Sequence, residues 1–176
     1  MSLISARPRI VGLVLAGVVY WLDQWLKRQV YSSWGLLEVG DHRDLLPFFD
    51  LTRTHNYGVS LGLLTANSME MRWGLVALTA GIAAIVFIWL LRERKLADIL
   101  PLGLVLGGAL GNIQDRVRLG YVLDYADFHI GDFRPFLIFN LADAAITIGV
   151  VIILARSFLI REKSDSEPAG APASEN

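Results

Sequence analysis

The chain has 176 residues, a length suited to a single domain. Hydrophobic residues make up 54% and charged residues 19%, more apolar surface than a soluble domain of this size can hide, so a membrane is the natural solvent. A net charge of −1 argues against nucleic acid as a partner, and the lack of cysteine excludes disulfides, thiolate metal sites and a cysteine nucleophile.

Residues 10–26 form the first apolar segment, interrupted only by Asp23. Arg7 and Arg9 precede it as they would a signal peptide, but no small-x-small cleavage pattern follows and three more apolar segments do, so it reads as helix one. An outer loop over residues 32–69 comes next. Within it, residues 49–54 alternate and are rich in strand formers, and Asn56-Tyr57-Gly58-Val59-Ser60 reads as a turn. Residues 73–91 carry no charge and give helix two; residues 99–113 give helix three. A second outer loop, 115–134, holds a strand over 121–130, a two-residue hairpin turn at Gly131-Asp132 and a return from Phe133 that Pro135 confines to an edge. Residues 135–155 give helix four and contain one acid, Asp143.

A spanning helix needs roughly 20 apolar residues. Helices two and four satisfy this; helices one and three are short, so their ends carry polar residues to the interface. The expected fold is an all-α polytopic membrane protein with four transmembrane helices and a small β-containing outer region. One domain covers residues 1–163, and the Ser-, Pro-, Ala- and Glu-rich tail 164–176 reads as disordered. Basic residues divide eight against eight between the two sides, but one set is concentrated in short segments such as Arg92-Glu93-Arg94-Lys95. That density favours both termini in the cytoplasm.

Asp143 needs an explanation, because an acid central to a spanning helix costs roughly 2.5–3.5 kcal/mol on insertion scales and such residues usually mark function. The plainer alternative is an interfacial acid near the helix end. Asn140, Asp143 and Thr147 share one helix face by spacing, as do Asn112, Asp115 and Arg116 on helix three. The second trio also reads as a solvated helix end with an Asp–Arg pair. Gly103, Gly107 and Gly111 make a ridge that lets another helix approach closely. Asp23 and Lys27 form an i, i+4 pair at the outer end of helix one.

With the hairpin turning at Gly131-Asp132, Asp124 falls opposite Phe139, beside Asn140, and Asp143 lies about one helical turn, roughly 5.4 Å, further on. Two carboxylates from distant positions then converge at the membrane surface. Such a pair shares one proton: one member deprotonates water while the other protonates a peptide carbonyl. No H-E-x-x-H zinc motif occurs. A metal site at His129 with Asp127 and Asp124, and a Ser60–Lys27 nucleophile pair, remain as alternatives.

Taken in order, these segments resemble the lipoprotein signal peptidase (signal peptidase II) family over nearly all of the chain except the tail. The matching blocks are Asp23-Gln24-Trp25-Leu26-Lys27, Asn56-Tyr57-Gly58-Val59-Ser60, the run from Gly107 and Gly108 through Asn112 to Asp115 and Arg116, Gly120-Tyr121-Val122-Leu123-Asp124-Tyr125, and Phe139-Asn140-Leu141-Ala142-Asp143. The resemblance implies that Asp124 and Asp143 are the catalytic pair. It implies that Asn56, Gly58, Gly108, Asn112, Asp115, Arg116 and Asn140 position substrate or support the aspartates, and that Asp23 and Lys27 tie helix one to the outer face. The implied substrate is a prolipoprotein whose lipobox cysteine carries diacylglycerol, cut on the amino side of that cysteine. An inner-membrane location, a periplasm-facing site and no metal follow from the same likeness; the outer β-containing loops are then periplasmic, and the chain is expected to need no cofactor, to sit among membrane lipids and to act as a monomer. Leu61 stands where the family often has an aromatic, and Tyr125 where it often has Phe; both bear on specificity.

Two other classes compete with this reading. A non-catalytic lipid- or lipoprotein-binding module would have lost one aspartate, and both are present. A small proton-linked transporter would use Asp143 as a relay, but no internal repeat accompanies the four helices.

Overall fold

The computed structural model describes residues 3–58 and 69–165. Val59, Ser60, Leu61 and residues 166–176 of the tail, on which the sequence places expectations, lie outside the described residues.

Four long helices carry the chain: α1 (Leu3–Ser32), α2 (Met69–Arg92), α3 (Leu96–Arg118) and α4 (Leu141–Asp165). Each contains a stretch long and apolar enough to cross a membrane: Arg7–Ser32, Met69–Arg92, Leu96–Arg118 and Leu141–Leu159. The four expected spans are therefore present, with different ends. α1 and α3 extend past their apolar runs into charged residues, as long basic side chains at the interface permit. The second outer connection accordingly starts after Arg118, and the first two residues assigned to the tail, Ser164 and Asp165, belong to α4.

Helix four begins six residues later than its apolar run, at Leu141 instead of Pro135. Pro135 alone would not prevent a helix from starting there, since the first helical position tolerates proline. Phe139 meanwhile pairs with Ala126, so helical hydrogen bonding starts only past Asn140.

Helix α3 is the centre of the bundle, packed against α1, α2 and α4. Its glycines explain the close approach of α1 and α4. A Cβ on Gly103 would meet the Gly12 carbonyl at 2.7 Å, and one on Gly107 would meet that of Ala16 at 2.5 Å, so the ridge lets α1 lie directly on α3. Gly108, one residue round the helix, receives the Ala142 carbonyl of α4 in the same manner. The contacts advance together along both chains, so α1 and α3 run parallel. At the far end of the bundle Arg156 pairs with Asp98 at 2.7 Å, joining α4 to the first turn of α3.

A three-stranded antiparallel sheet covers the other end, in the order β1 (His42–Leu46), β2 (Phe49–Asn56), β3 (Val122–Phe128). Its apolar face packs Leu51, Leu123 and Tyr125 on Val30 in the last turn of α1 and on Leu36 in the connection that follows. An irregularity in β2 between Leu51 and Thr54 brings Thr54 opposite Asp124. It also turns Arg53 inward over the Tyr31 ring, 4.4 Å from its centroid.

The hairpin turn falls at Gly131-Asp132 as expected, closed by Ile130 and Phe133. The return differs. It advances six positions from Phe133 to Phe139 where β3 and its extension advance four from Ile130 to Ala126, and it forms isolated bridges instead of a strand. Phe139 therefore faces Ala126, not Asp124. The bend around Pro135 accommodates the two extra residues.

Candidate active site

Asp124 sits on β3 and Asp143 in the first turn of α4, both at the sheet end of the bundle. Asn140 joins them. Its side-chain amide donates to Asp124 at 2.6 Å, while its side-chain oxygen accepts the Asp143 amide at 2.9 Å. The Asp143 carboxylate accepts the Asn140 backbone amide at 3.3 Å, which completes a capping box with Asp in place of the usual Glu. Asp143 is thus an acid at a helix start, where the dipole favours it, not an acid at mid-membrane. The expected stripe of Asn140, Asp143 and Thr147 does not form, because Asn140 precedes the helix and Thr147 is exposed.

The other free amides of that first turn are also held. Leu141 donates to the Tyr125 hydroxyl at 3.3 Å, and Ala142 donates to Asp23 at 3.1 Å. Three parts of the chain therefore fix the start of α4. Burial keeps the Tyr125 phenol well above its ordinary pKa, so it remains neutral.

Below the carboxylates lies a buried polar cluster. Lys27 stands 2.8 Å from both Asp23 and Asp115 and donates to Asn112 at 3.2 Å. Asn112 in turn donates to Asp143 at 2.7 Å. Asp115 also accepts the Leu123 amide at 3.2 Å, tying the end of α3 to the strand that carries Asp124. The i, i+4 pairing of Asp23 with Lys27 is as spaced in the sequence, but Asp115 pairs with Lys27 and not with Arg116. The reason is burial: Asp115 is 3% exposed and needs a cation inside the bundle.

Asn56 and Gly58 arrive from the end of β2. The Gly58 amide donates to Asn56 Oδ1 at 2.9 Å, which leaves the Asn56 amide group free to donate to Asp124. Gly58 has φ +92, and a Cβ there would meet Leu75 at 2.6 Å. Both the turn and the space require glycine. The same Cβ would lie 3.6 Å from the Arg116 guanidinium, so Arg116 points toward this turn and lies within electrostatic reach of Asp143 and Asp124. Among the described residues its Nε is buried and without a hydrogen-bond partner.

The Asp124 carboxyl is pushed up to about 7, first by burial and then by the neighbouring charge of Asp143; hydrogen bonds from Asn56 and Asn140 pull the other way. A carboxyl that holds its proton near neutrality beside a second carboxylate is the electrostatic condition for general acid–base work. His129 is 3.1 Å from Asp50, and Asp127 accepts from Arg134 at 3.1 Å, so these residues are engaged away from Asp124. No group of three or more His, Asp or Glu side chains is gathered as ion ligands among the described residues.

Two contributions are not assigned by sequence reasoning. Gln24 donates to Asp115 at 2.9 Å and accepts from Gln114 at 2.6 Å, so an amide next to Asp23 in an apolar helix was the available signal. Tyr121 stacks on His55 with centroids 3.6 Å apart, and burial, helped by Arg53, lowers the His55 pKa. No local pattern in the sequence announces that stack.

Comparison with known proteins places this geometry. The profile described as Signal peptidase (SPase) II matches residues 15–159. A lipoprotein signal peptidase of Sphingopyxis alaskensis is 49% identical over 161 residues, covering 90% of this chain and 92% of that protein. One from Rhizorhabdus wittichii is 53% identical over 154 residues, covering 88% and 89%. A solved bacterial membrane enzyme superposes with a TM-score of 0.70 at 28% identity, covering 92% of this chain and 94% of the other. The matched span contains both carboxylates, the lysine cluster beneath them, all of α2 and α3 and the greater part of α1 and α4, and this multi-pass membrane protein belongs to the signal peptidase II family of proteases.

Proposed function

We propose that the chain is an intramembrane aspartyl endopeptidase that removes the signal peptide from diacylglyceryl-modified prolipoproteins, cutting on the amino side of the lipidated cysteine. The observation that carries the mechanism is Asn140, which bonds Asp124 and caps the turn that carries Asp143. Asp124, with its pKa near neutrality, keeps the proton and delivers it to the scissile carbonyl. Asp143 takes a proton from the attacking water, while Asn112 fixes its other oxygen. Arg116 and Asn56 bind the substrate backbone or the lipid esters beside the pair. The substrate class rests on the relatives, which are lipoprotein signal peptidases. The site faces the periplasm from the inner membrane.

Gel-based turnover of a diacylglyceryl precursor by the purified full chain in lipid tests this. Asp124→Asn and Asp143→Asn are each expected to abolish cleavage while retaining precursor binding, and the double variant is expected to be no worse than either single. Substantial cleavage by either folded single variant overturns the aspartyl mechanism.

A further inference from the structure

A second site lies on the seam between α1 and α3, on the surface of the bundle. Tyr20, Gln24, Arg28 and Tyr31 follow one another at helical spacing on α1; on α3 Leu110, Ile113 and Val117 do so, beside the row Leu110, Gln114 and Arg118. Because the two helices run parallel, both stripes border one groove. Two cavities open along it. The outer one, about 340 Å³, is lined by Lys27, Arg28, Tyr31, Asp115 and Arg118 among others. The inner one, about 370 Å³, is lined mainly by Leu110, Ile113, Val117 and Tyr20. Arg118 borders both.

The charges are unbalanced. Lys27 is committed to Asp23 and Asp115, but Arg28 and Arg118 are exposed and, among the described residues, make neither an ion pair nor a side-chain hydrogen bond. Two uncommitted guanidinium groups therefore border a polar cavity at the ends of two spanning helices, which is the headgroup level of a bilayer. The apolar cavity descends from it. Leu110 lies eight residues before Arg118, about 12 Å deeper along the helix. A cationic mouth above an apolar slot fits an anionic amphiphile, and the seam faces the one solvent that supplies such molecules.

We propose that the α1/α3 seam is a binding site for an anionic phospholipid, with the phosphate between Arg28 and Arg118 and an acyl chain along Leu110, Ile113 and Val117. Guanidinium groups suit this task because they meet phosphate oxygens with paired donors. The site goes beyond the peptidase reading and does not depend on it. It is nevertheless connected to the carboxylate site: Gln114, whose side chain accepts from the Tyr20 hydroxyl between the two cavities, donates to Gln24, and Gln24 donates to Asp115 beside Lys27.

The test is thermal unfolding of the purified full chain in detergent, titrated separately with short-chain phosphatidylglycerol, phosphatidylcholine of equal chain length and inorganic phosphate. Phosphatidylglycerol is expected to raise Tm saturably; phosphatidylcholine and phosphate are not. Arg28→Gln/Arg118→Gln should shift the half-effect concentration at least tenfold while unfolding near the parent Tm without lipid. Leu110→Trp, which fills the apolar slot and leaves both arginines, should weaken the response similarly and serves if the double variant does not fold. An equal response to phosphatidylcholine, or an undiminished response in the variants, overturns the site. A full response to phosphate alone reduces it to an ion site and overturns the lipid.

Discussion

Asn140 and Asp143 hold each other's backbone: the Asn140 side chain accepts the Asp143 amide at 2.9 Å, and the Asp143 carboxylate accepts the Asn140 amide at 3.3 Å. The exchange begins α4 and sets the orientation of one carboxylate, while the remaining Asn140 amide reaches the other. A helix start and a carboxylate pair are thereby one construction.

Asn140→Ala should therefore separate stability from activity. Losing a cap costs about 1 kcal/mol, which a four-helix bundle tolerates. Activity should fall by roughly 100-fold or more, as when one donor is removed from a preorganised polar site. The measurement is Tm together with single-turnover cleavage of a lipidated precursor. A drop in Tm with unchanged turnover would make Asn140 a cap alone.

Lys27→Met should act the other way round. The amine is buried and serves Asp23 and Asp115 at 2.8 Å each. Removing it leaves two buried carboxylates without a cation, a cost of roughly 3–5 kcal/mol for a broken buried pair. Folded yield and Tm should fall sharply. Asp115→Asn on the Lys27→Met background should recover part of the loss, because it removes one of the stranded charges. An unchanged Tm in Lys27→Met would show that water reaches this cluster freely.

Four spans were legible as apolar runs between charged flanks, two of bilayer length and two shorter, and the turn at Gly131-Asp132 because its chemistry is local. The strand register was not, since the two extra residues around Pro135 carry no periodic signal that places them. Asp143 could be singled out as an acid within an apolar run, but its depth depended on where α4 begins, and that is decided by tertiary pairing of Phe139. Lys27 as partner of Asp115 was hidden for a similar reason: the glycine ridge announces that some helix packs on α3 without saying which. The first strand, His42–Leu46, is exposed throughout and shows no alternation of burial from which to read it.

Orientation can be tested in the cysteine-free background. Asp44 on β1 and Arg94 in the connection between α2 and α3 are both exposed, at opposite ends of the bundle. In intact spheroplasts an impermeant thiol reagent should label Asp44→Cys and spare Arg94→Cys, with both labelled after lysis. Labelling of Arg94→Cys before lysis would invert the topology and remove the site from the periplasmic face.

The Asp124 carboxyl offers a pH signature of its own. Its value rises from 3.8 to about 7 on folding, so the native state favours the protonated form. The resulting stability is fully present below about 3.8 and is lost as pH rises through about 7. Within that window the slope contributed by this group approaches about 1.4 kcal/mol per pH unit. Tm of the wild type should therefore decline from pH 5 to 8 relative to Asp124→Asn, which has no proton to lose. Turnover should fall over the alkaline part of the same range, because the pair can no longer offer a shared proton to the carbonyl, and the apparent value belongs to the pair. Parallel Tm profiles for wild type and Asp124→Asn would show that Asp124 is not held protonated by its surroundings, and the assignment of Asp124 as the proton donor would fail with it.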